Sequence, residues 1–316
     1  MKTFRDIAPV FLDNFKKFAD DTRKASLKAV GKDGQRGIVA GLYQMANHCD
    51  GAKGKQANTD RICRAMAALA KRGVKLLACP EMCLQGYFTW VDGDADKARA
   101  AGRSLADDPA TSKQIAQLRK AARAAGMVLA FGFSEKAAGG KKVFNSIGVI
   151  DADGKWLGSH RKNPLFPWDY ETKVFDEPPK AQRVSVFKTK VAAIGVTNCF
   201  DGSFPETIRA LRLAGAEMLV WCNAAVGDRK MGNFDRVPTA SSYATAHNMP
   251  IVCCNGAAEN LSGTSSICAA GGVPMVILPP GEEGFGLATV NLAAAANWEI
   301  YRTRLVLKPK AQTPRP

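Results

Sequence analysis

From Gly37 onward the chain alternates short apolar runs with stretches of helical spacing, and this alternation constrains the fold more than any other feature. Apolar runs bounded by turn residues read as buried strands, and apolar residues at steps of three and four read as one helix face. GIVAGLYQM, starting at Gly37, reads as a strand, and residues 58–72 read as a helix with Ile62, Met66 and Leu69 on one face. VKLLAC is a second strand, residues 111–125 a further helix, and MVLAFGF and FNSIGVID two more strands. Asp153-Gly154 is a two-residue hairpin signal, with KWLGSHRK as the returning strand. VAAIGVTN, EMLVWCN and MPIVCCN continue as strands, separated by the helices PETIRALRLAG and PTASSYATAHN. Further strands are predicted near 273–278 and 286–292. No linker, repeat or low-complexity segment divides this series. The reading is one α/β domain of mixed sheets covered by helices.

The two ends read differently. Phe4, Ile7, Phe11, Phe15 and Phe18 form one apolar helical stripe, which Pro9 can open and Gly31, Gly34 and Gly37 end. Such a stripe can serve a partner or a membrane surface; packing on its own domain or a neighbouring subunit is the simpler expectation. Charge sharpens the division. The chain carries 44 Lys+Arg against 29 Asp+Glu, a net +15. Residues 1–36 hold a surplus of four and residues 301–316 a surplus of five, which leaves +6 between them. A nucleic-acid binder gathers its cations on one face among aromatics. Here they gather at the ends, so solvated tails are expected and no nucleic-acid partner. The expected organisation is a basic helical extension (1–36), one domain (37–300) and a basic tail (301–316).

Composition excludes other classes. With 46% hydrophobic and 23% charged residues the chain suits a packed globule, not a disordered polymer. No run reaches the ~18 apolar residues of a spanning helix, so no membrane partner is expected. The first thirty residues lack the apolar core of a signal peptide. Nine cysteines form an odd set without framework spacing, and reduced thiols in a cytoplasm are the expectation.

Three polar residues follow predicted strands, where α/β folds place their sites. Glu81 follows VKLLACP, Lys162 follows KWLGSHR, and Cys199 follows VAAIGVTN just before the helix near Pro205. A helix N-terminus, a cation or a base nearby can each enlarge the small thiolate fraction of an ordinary thiol. Any one of nine cysteines is more simply a small buried hydrophobe. Glu81 can be an exposed loop carboxylate, and Lys162 a surface lysine beside Arg161. The context raises Cys199 above its fellows. GVTNCFDGSFPE resembles the nucleophile segment of the nitrilase, or carbon–nitrogen hydrolase, superfamily. LLACPEMCLQGY resembles the segment that holds that family's catalytic Glu, and FNSIGVIDADGKWLGSHRKNPLFP the hairpin that delivers its Lys. FGFSE, YATAHNMPIVCCNG and SGTSSI fit as well, so the resemblance runs from about Ile38 to Leu292.

The resemblance implies a four-layer α-β-β-α sandwich with a Glu81-Lys162-Cys199 triad. By analogy Glu81 takes the thiol proton, Cys199 attacks a carbonyl or nitrile carbon, and Lys162 with the Phe200 N–H stabilises the oxyanion. Glu171 matches the family's second Glu, and assembly as a homodimer or larger homo-oligomer is implied too. Tyr87, Phe88, Trp90, Trp168 and Tyr170 follow motif residues and are candidate pocket walls. Glu206 reads as part of a capping box with Ser203, and Asp201 as a turn former beside Gly202 or a site-shaping residue.

Rival chemistries are weaker. A Cys-His dyad would need His48, His160 or His247. Cys79 and Cys83, or Cys253 and Cys254, are not paired CxxC ligands, and no phosphate loop or dinucleotide fingerprint is present. Neither metal nor cofactor is expected. Phe200-Asp201 stands where nitrilases of the family carry Trp-Glu, which favours the amidase and carbamoyl-hydrolase branches. Gly202 and Ser203 stand where some carbamoyl amino-acid hydrolases carry arginines, which argues against an anionic substrate held there. The expected function is an amidohydrolase for a small linear amide or N-carbamoyl compound. A nitrilase is the alternative, and a non-catalytic basic binding protein the distant one.

Overall fold

Strands send alternate side chains to opposite faces, so a strand buried on both sides must find a partner for each. The computed structural model, which describes residues 36–48, 50–86, 95–167, 169–179, 184–226, 236–257 and 261–292, shows how this chain meets that demand. Strand β1 (Gly37–Gln44) leads to helix α1 (Gly51–Ala70), β2 (Val74–Ala78), α2 (Ala95–Leu105) and α3 (Lys113–Ala125). Strands β3 (Val128–Lys136), β4 (Val143–Ile150) and β5 (Trp156–Arg161) and the short helix α4 (Asp169–Val174) come next. The second half runs β6 (Val186–Lys188), β7 (Ala193–Asn198), α5 (Pro205–Leu213), β8 (Met218–Asn223) and α6 (Arg236–His247). It closes with β9 (Ile251–Asn255), β10 (Ser266–Cys268), β11 (Pro274–Ile277) and β12 (Gly284–Asn291).

The strands form two six-stranded sheets, ordered β12-β1-β2-β3-β4-β5 and β11-β10-β9-β8-β7-β6. In each, three central strands run parallel (β1-β2-β3 and β7-β8-β9) and the flanking pairs are antiparallel. The inner faces meet: Ala40, Leu42, Leu76 and Ile147 of the first sheet pack with Val196, Val220, Val252 and Ile267 of the second. The alternate residues Leu77, Leu129 and Phe131 turn outward onto Ile62, Met66, Ile115 and Leu118 of α1 and α3. Leu219, Trp221 and Ile251 likewise pack on Ile208 and Leu211 of α5 and Ala240 and Tyr243 of α6. Each large side chain so buried is worth ~1.5–3 kcal/mol, which makes both faces of both sheets structural. The result is the α-β-β-α sandwich that the resemblance implies.

Local differences have local causes. Helix α1 begins at Gly51, ahead of the predicted 58, because its first two turns are polar and show no stripe. Asn58 seats that start, accepting from the His48 N–H and donating to the His48 carbonyl. The β4–β5 hairpin has a three-residue loop instead of the expected two. Asp151 and Lys155 close it, with Gly154 at φ +82. A Cβ on Gly154 would stand 2.5 Å from the Arg119 carbonyl oxygen, so the glycine also admits helix α3. The apolar stripe of residues 4–18 and the basic tail lie outside the described residues. Among the described residues no helix is long and apolar enough to cross a membrane.

Candidate active site

Three loops at the strand ends converge between the sheets. The turn carrying Glu81 follows β2 and lies directly on β3: Gly132 donates its N–H to the Pro80 carbonyl and accepts from the Leu84 N–H. A Cβ at Gly132 would come within 2.2 Å of the Met82 nitrogen, so only glycine lets the two backbones touch. Lys162 directly follows β5, its N–H bonded to the Asn145 carbonyl at 2.8 Å. Cys199 follows β7 with φ +51, a left-handed conformation uncommon for a side-chain-bearing residue, and opens a single 3-10 turn through Ser203. Trp221 holds this elbow by donating its indole N–H to the Cys199 carbonyl at 2.8 Å. Gly202 lies flat on the same indole, where a Cβ would stand 2.3 Å from Nε1.

The side chains meet in a small ionic cluster. Lys162 Nζ donates to Glu81 Oε1 at 2.8 Å and lies 2.7 Å from Glu171 Oε1. Asn145 Nδ2 donates to both carboxylates, at 2.8 and 2.9 Å, and its Oδ1 accepts from Asn198 Nδ2 at 2.8 Å. The Ala224 N–H donates to Glu81 Oε2 at 2.8 Å, and the Cys199 thiol is a further hydrogen-bond partner of Glu81. Glu81 and Lys162 are each 1% exposed and Cys199 is 9% exposed, so the sulfur is the member of the three nearest to solvent.

These contacts set the charges. Burial opposes the charge on Glu81, but the Lys162 ammonium and the hydrogen bonds from Lys162, Asn145 and Cys199 outweigh it and hold the carboxyl below its ordinary range. Burial likewise opposes the Lys162 cation, yet the charges of Glu81 and Glu171 raise its pKa above that of a free lysine. For Glu171 burial prevails, helped by the charge of Glu81, and its carboxyl is raised. Burial and the Glu81 charge push the Cys199 thiol up to about 12, against the pull of Lys162 and Arg236. The resting sulfur is therefore a thiol beside a carboxylate. The expectation that a cation and a helix N-terminus enlarge its free thiolate fraction is corrected: the two carboxylates and the dry surroundings win.

The other candidates fall in several places. Tyr87, Phe88, Trp90 and Trp168 lie outside the described residues, as does the side chain of Tyr170, whose backbone belongs to α4. The Phe200 ring stacks edge-on against Phe166 and Phe204, with centroids 5.1 Å away in each case. Ser203 and Glu206 form no capping box. Phe204 occupies the N-cap of α5 without a side-chain bond, and Ser203 Oγ accepts from Arg236 instead. Asp201 is more than a turn former. Fully buried, it accepts from the Asn198 N–H at 2.6 Å, and its other oxygen meets His160 Nε2 at 2.6 Å and the Asn163 N–H at 3.3 Å. One carboxylate thus ties the Cys199 elbow to the segment that carries Lys162. The sequence reading does not reach Asn145, Asn198 or Arg236; only Asn145, a polar residue inside the apolar strand FNSIGVI, leaves a local signal. No group of three or more His, Cys, Asp or Glu side chains suited to a metal occurs among the described residues.

The fold and this cluster together define a class. The family model described as carbon-nitrogen hydrolase matches residues 39–300, and the chain belongs to that family. Among curated relatives, N-carbamoylputrescine amidase of Arabidopsis thaliana is 36% identical over 147 residues, 45% of this chain and 48% of that protein. Citrullinase of Francisella tularensis is 30% identical over 192 residues, 59% of this chain and 64% of that protein. The chain thus spans from about half to just under two thirds of the curated relatives it matches. Among solved structures, a carbon-nitrogen hydrolase from Helicobacter pylori G27 superposes with a TM-score of 0.72 at 19% identity, covering 89% of this chain and 99% of that one. An amidase from Nesterenkonia sp. AN1 gives 0.64 at 22%, covering 86% and 98%, in a mutant showing covalent addition of the acetamide moiety of fluoroacetamide at its active-site cysteine. At these identities the structural likeness establishes the fold.

Proposed function

We propose that the protein is an amidohydrolase that cleaves the C–N bond of a small linear amide or N-carbamoyl compound through a thioester on Cys199. One observation carries the reading: Glu81 and Lys162, from the first sheet, are brought in a buried cluster to Cys199 of the second. Glu81 accepts the Cys199 proton as sulfur attacks the carbonyl carbon, and the carbonyl π pair moves onto oxygen. Lys162 and the Phe200 N–H receive that oxyanion; a donor of this kind is typically worth ~3–4 kcal/mol in the transition state. The intermediate collapses, the C–N bond breaks, and Glu81 returns the proton to the departing ammonia. Glu81 then takes a proton from water, whose oxygen attacks the thioester carbon; the C–S bond breaks, the acid product leaves, and Glu81 returns the proton to sulfur. Glu171 keeps Lys162 charged and in place. The names of the relatives favour a ureido or terminal amide group on the substrate.

The same reading includes a cytoplasmic location, a homodimer or larger assembly, and a hydrolase domain over 37–300 flanked by basic ends. The test is ammonia release from matched amides, N-carbamoyl compounds and nitriles. Amide or carbamoyl turnover with a hydroxylamine-trappable acyl group on the Cys199 peptide is the expected result. Turnover of nitriles with inert amides would replace the reading with a nitrilase.

A further inference from the structure

Lys162 is not a counter-ion for the sulfur alone, because its ammonium already lies 2.8 and 2.7 Å from two carboxylates. A second cation stands near the sulfur. Arg236, the first residue of α6, places Nη2 3.8 Å from Cys199 Sγ. Its Nη1 donates to Ser203 Oγ at 3.0 Å, and its guanidinium carbon lies 4.7 Å above the Trp221 ring. Trp221 in turn bonds the Cys199 carbonyl, so one indole fixes both the elbow and the cation beside it. No salt bridge involves Arg236 among the described residues, and its buried Nε has no partner there. Among the described residues no carboxylate pairs with this charge, which lies where the nucleophile must become negative.

We infer that Arg236 is a further catalytic residue, the cation that holds the Cys199 sulfur while it carries negative charge. This rests on the proposed role of Cys199. Arg236 transfers no proton. Glu81 takes the proton as the sulfur lone pair forms the C–S bond, and Arg236 stabilises the negative charge that builds on sulfur in that step. It acts again when the C–S bond breaks and the electron pair returns to sulfur. In the thioester the sulfur is neutral, so Arg236 lowers barriers on either side of the intermediate without favouring it.

The experiment is alkylation of the full chain by iodoacetamide, an uncharged reagent, with the adduct mapped by peptide mass spectrometry. In the wild type the adduct should map to Cys199. Arg236→Gln should slow its formation by about tenfold or more, since the thiolate is the reacting species. Arg236→Lys, which keeps the charge but loses the planar stack on Trp221, should recover part of the rate and serves if the Gln variant does not fold. An unchanged alkylation rate in a folded Arg236→Gln protein overturns the inference. A defect confined to iodoacetate and to carboxylate-bearing amides also overturns it, because Arg236 would then read an anionic substrate instead of the sulfur. An adduct that avoids Cys199 in the wild type defeats the proposed function itself, and so is distinguishable from both.

Discussion

The two sheets share one topology and differ in what they place at corresponding strand ends. β1, β2 and β3 correspond in order and direction to β7, β8 and β9. Cys199 follows β7; its counterpart after β1 is Met45, fully buried in the core. Glu81 follows β2, while the segment after β8 is Ala224-Ala225-Val226. Away from the ionic cluster, strand ends of both sheets carry neutral amides. Gln44 donates to the Pro279 and Glu282 carbonyls and accepts from the Ser265 N–H. Asn255 accepts from the Ala225 N–H and donates to the Gly263 carbonyl. An amide can satisfy a loop's backbone at little electrostatic cost, so it staples and does nothing more. A buried carboxylate–ammonium cluster costs desolvation, and that cost is consistent with chemistry more than with stability.

Substitutions can break this contrast. The largest effect is expected from Cys199→Ala, which should abolish both turnover and the acyl adduct while leaving thermal stability nearly unchanged. Met45→Ala, at the corresponding place, should do the reverse: a loss of ~2–5 kcal/mol in denaturant melts with kcat/KM preserved in the folded fraction. Lys162→Ala should lower kcat by ~10²–10³ with KM little changed, as loss of an oxyanion partner does. A normal kcat would remove Lys162 from the chemistry. Gly132→Ala should cost both activity and stability, because its Cβ strikes the backbone of the Glu81 turn. Full activity there would show that the turn can shift without harm. Asp201→Asn should lower kcat by about tenfold, since it keeps the size of the brace but weakens its charge-assisted bonds. Asp201→Ala should do more, and equal effects would mean that only shape matters.

The smallest expected effect is on the limbs of the pH profile that belong to Glu81 and Cys199. Glu81 titrates below the ordinary carboxylate range, so its base function should persist down past pH ~4.3 and fail only as pH falls through the depressed value. The stability its ion pair contributes follows the same sign: present above the unfolded pKa and lost on acidification. On the alkaline side the Cys199 thiol at about 12 predicts no rising limb near the usual thiol range of pH ~8.5. A rise there in kcat/KM would mean that free thiolate attacks without Glu81.

Much of this architecture is legible along the chain, and the reason is periodicity. Buried parallel strands such as VKLLA and AIGVTN are apolar almost throughout, and α3 carries Ile115, Leu118 and Ala122 at helical steps with Ser112 capping it. The three-residue strands β6 and β10 and the charged helix α2 carry too little pattern to be seen. Glu81, Lys162 and Cys199 are conspicuous because each is polar just after an apolar strand, though the resemblance supplies their roles. Asp201 and His160 lie 41 residues from each other in sequence and meet only when the sheets stack. Arg236 is fainter still: an arginine opening a helix is ordinary until Trp221 places it against sulfur.

The buried cysteines carry one more consequence, in the language of synthesis. Cys79, Cys83, Cys222, Cys253, Cys254 and Cys268 have no exposed surface, and burial pushes Cys253 and Cys268 up to about 12. All eight described cysteines are free thiols. In a flask, such a collection would need protecting groups before an electrophile could be directed to one of them. The sandwich supplies that protection by packing alone, leaving Cys63 and Cys199 as the thiols with surface among the described residues. Cys63 sits on α1, with its thiol raised by burial and by the Asp60 charge. Selectivity for one sulfur is thus set by the packing that folds the chain, before any substrate arrives.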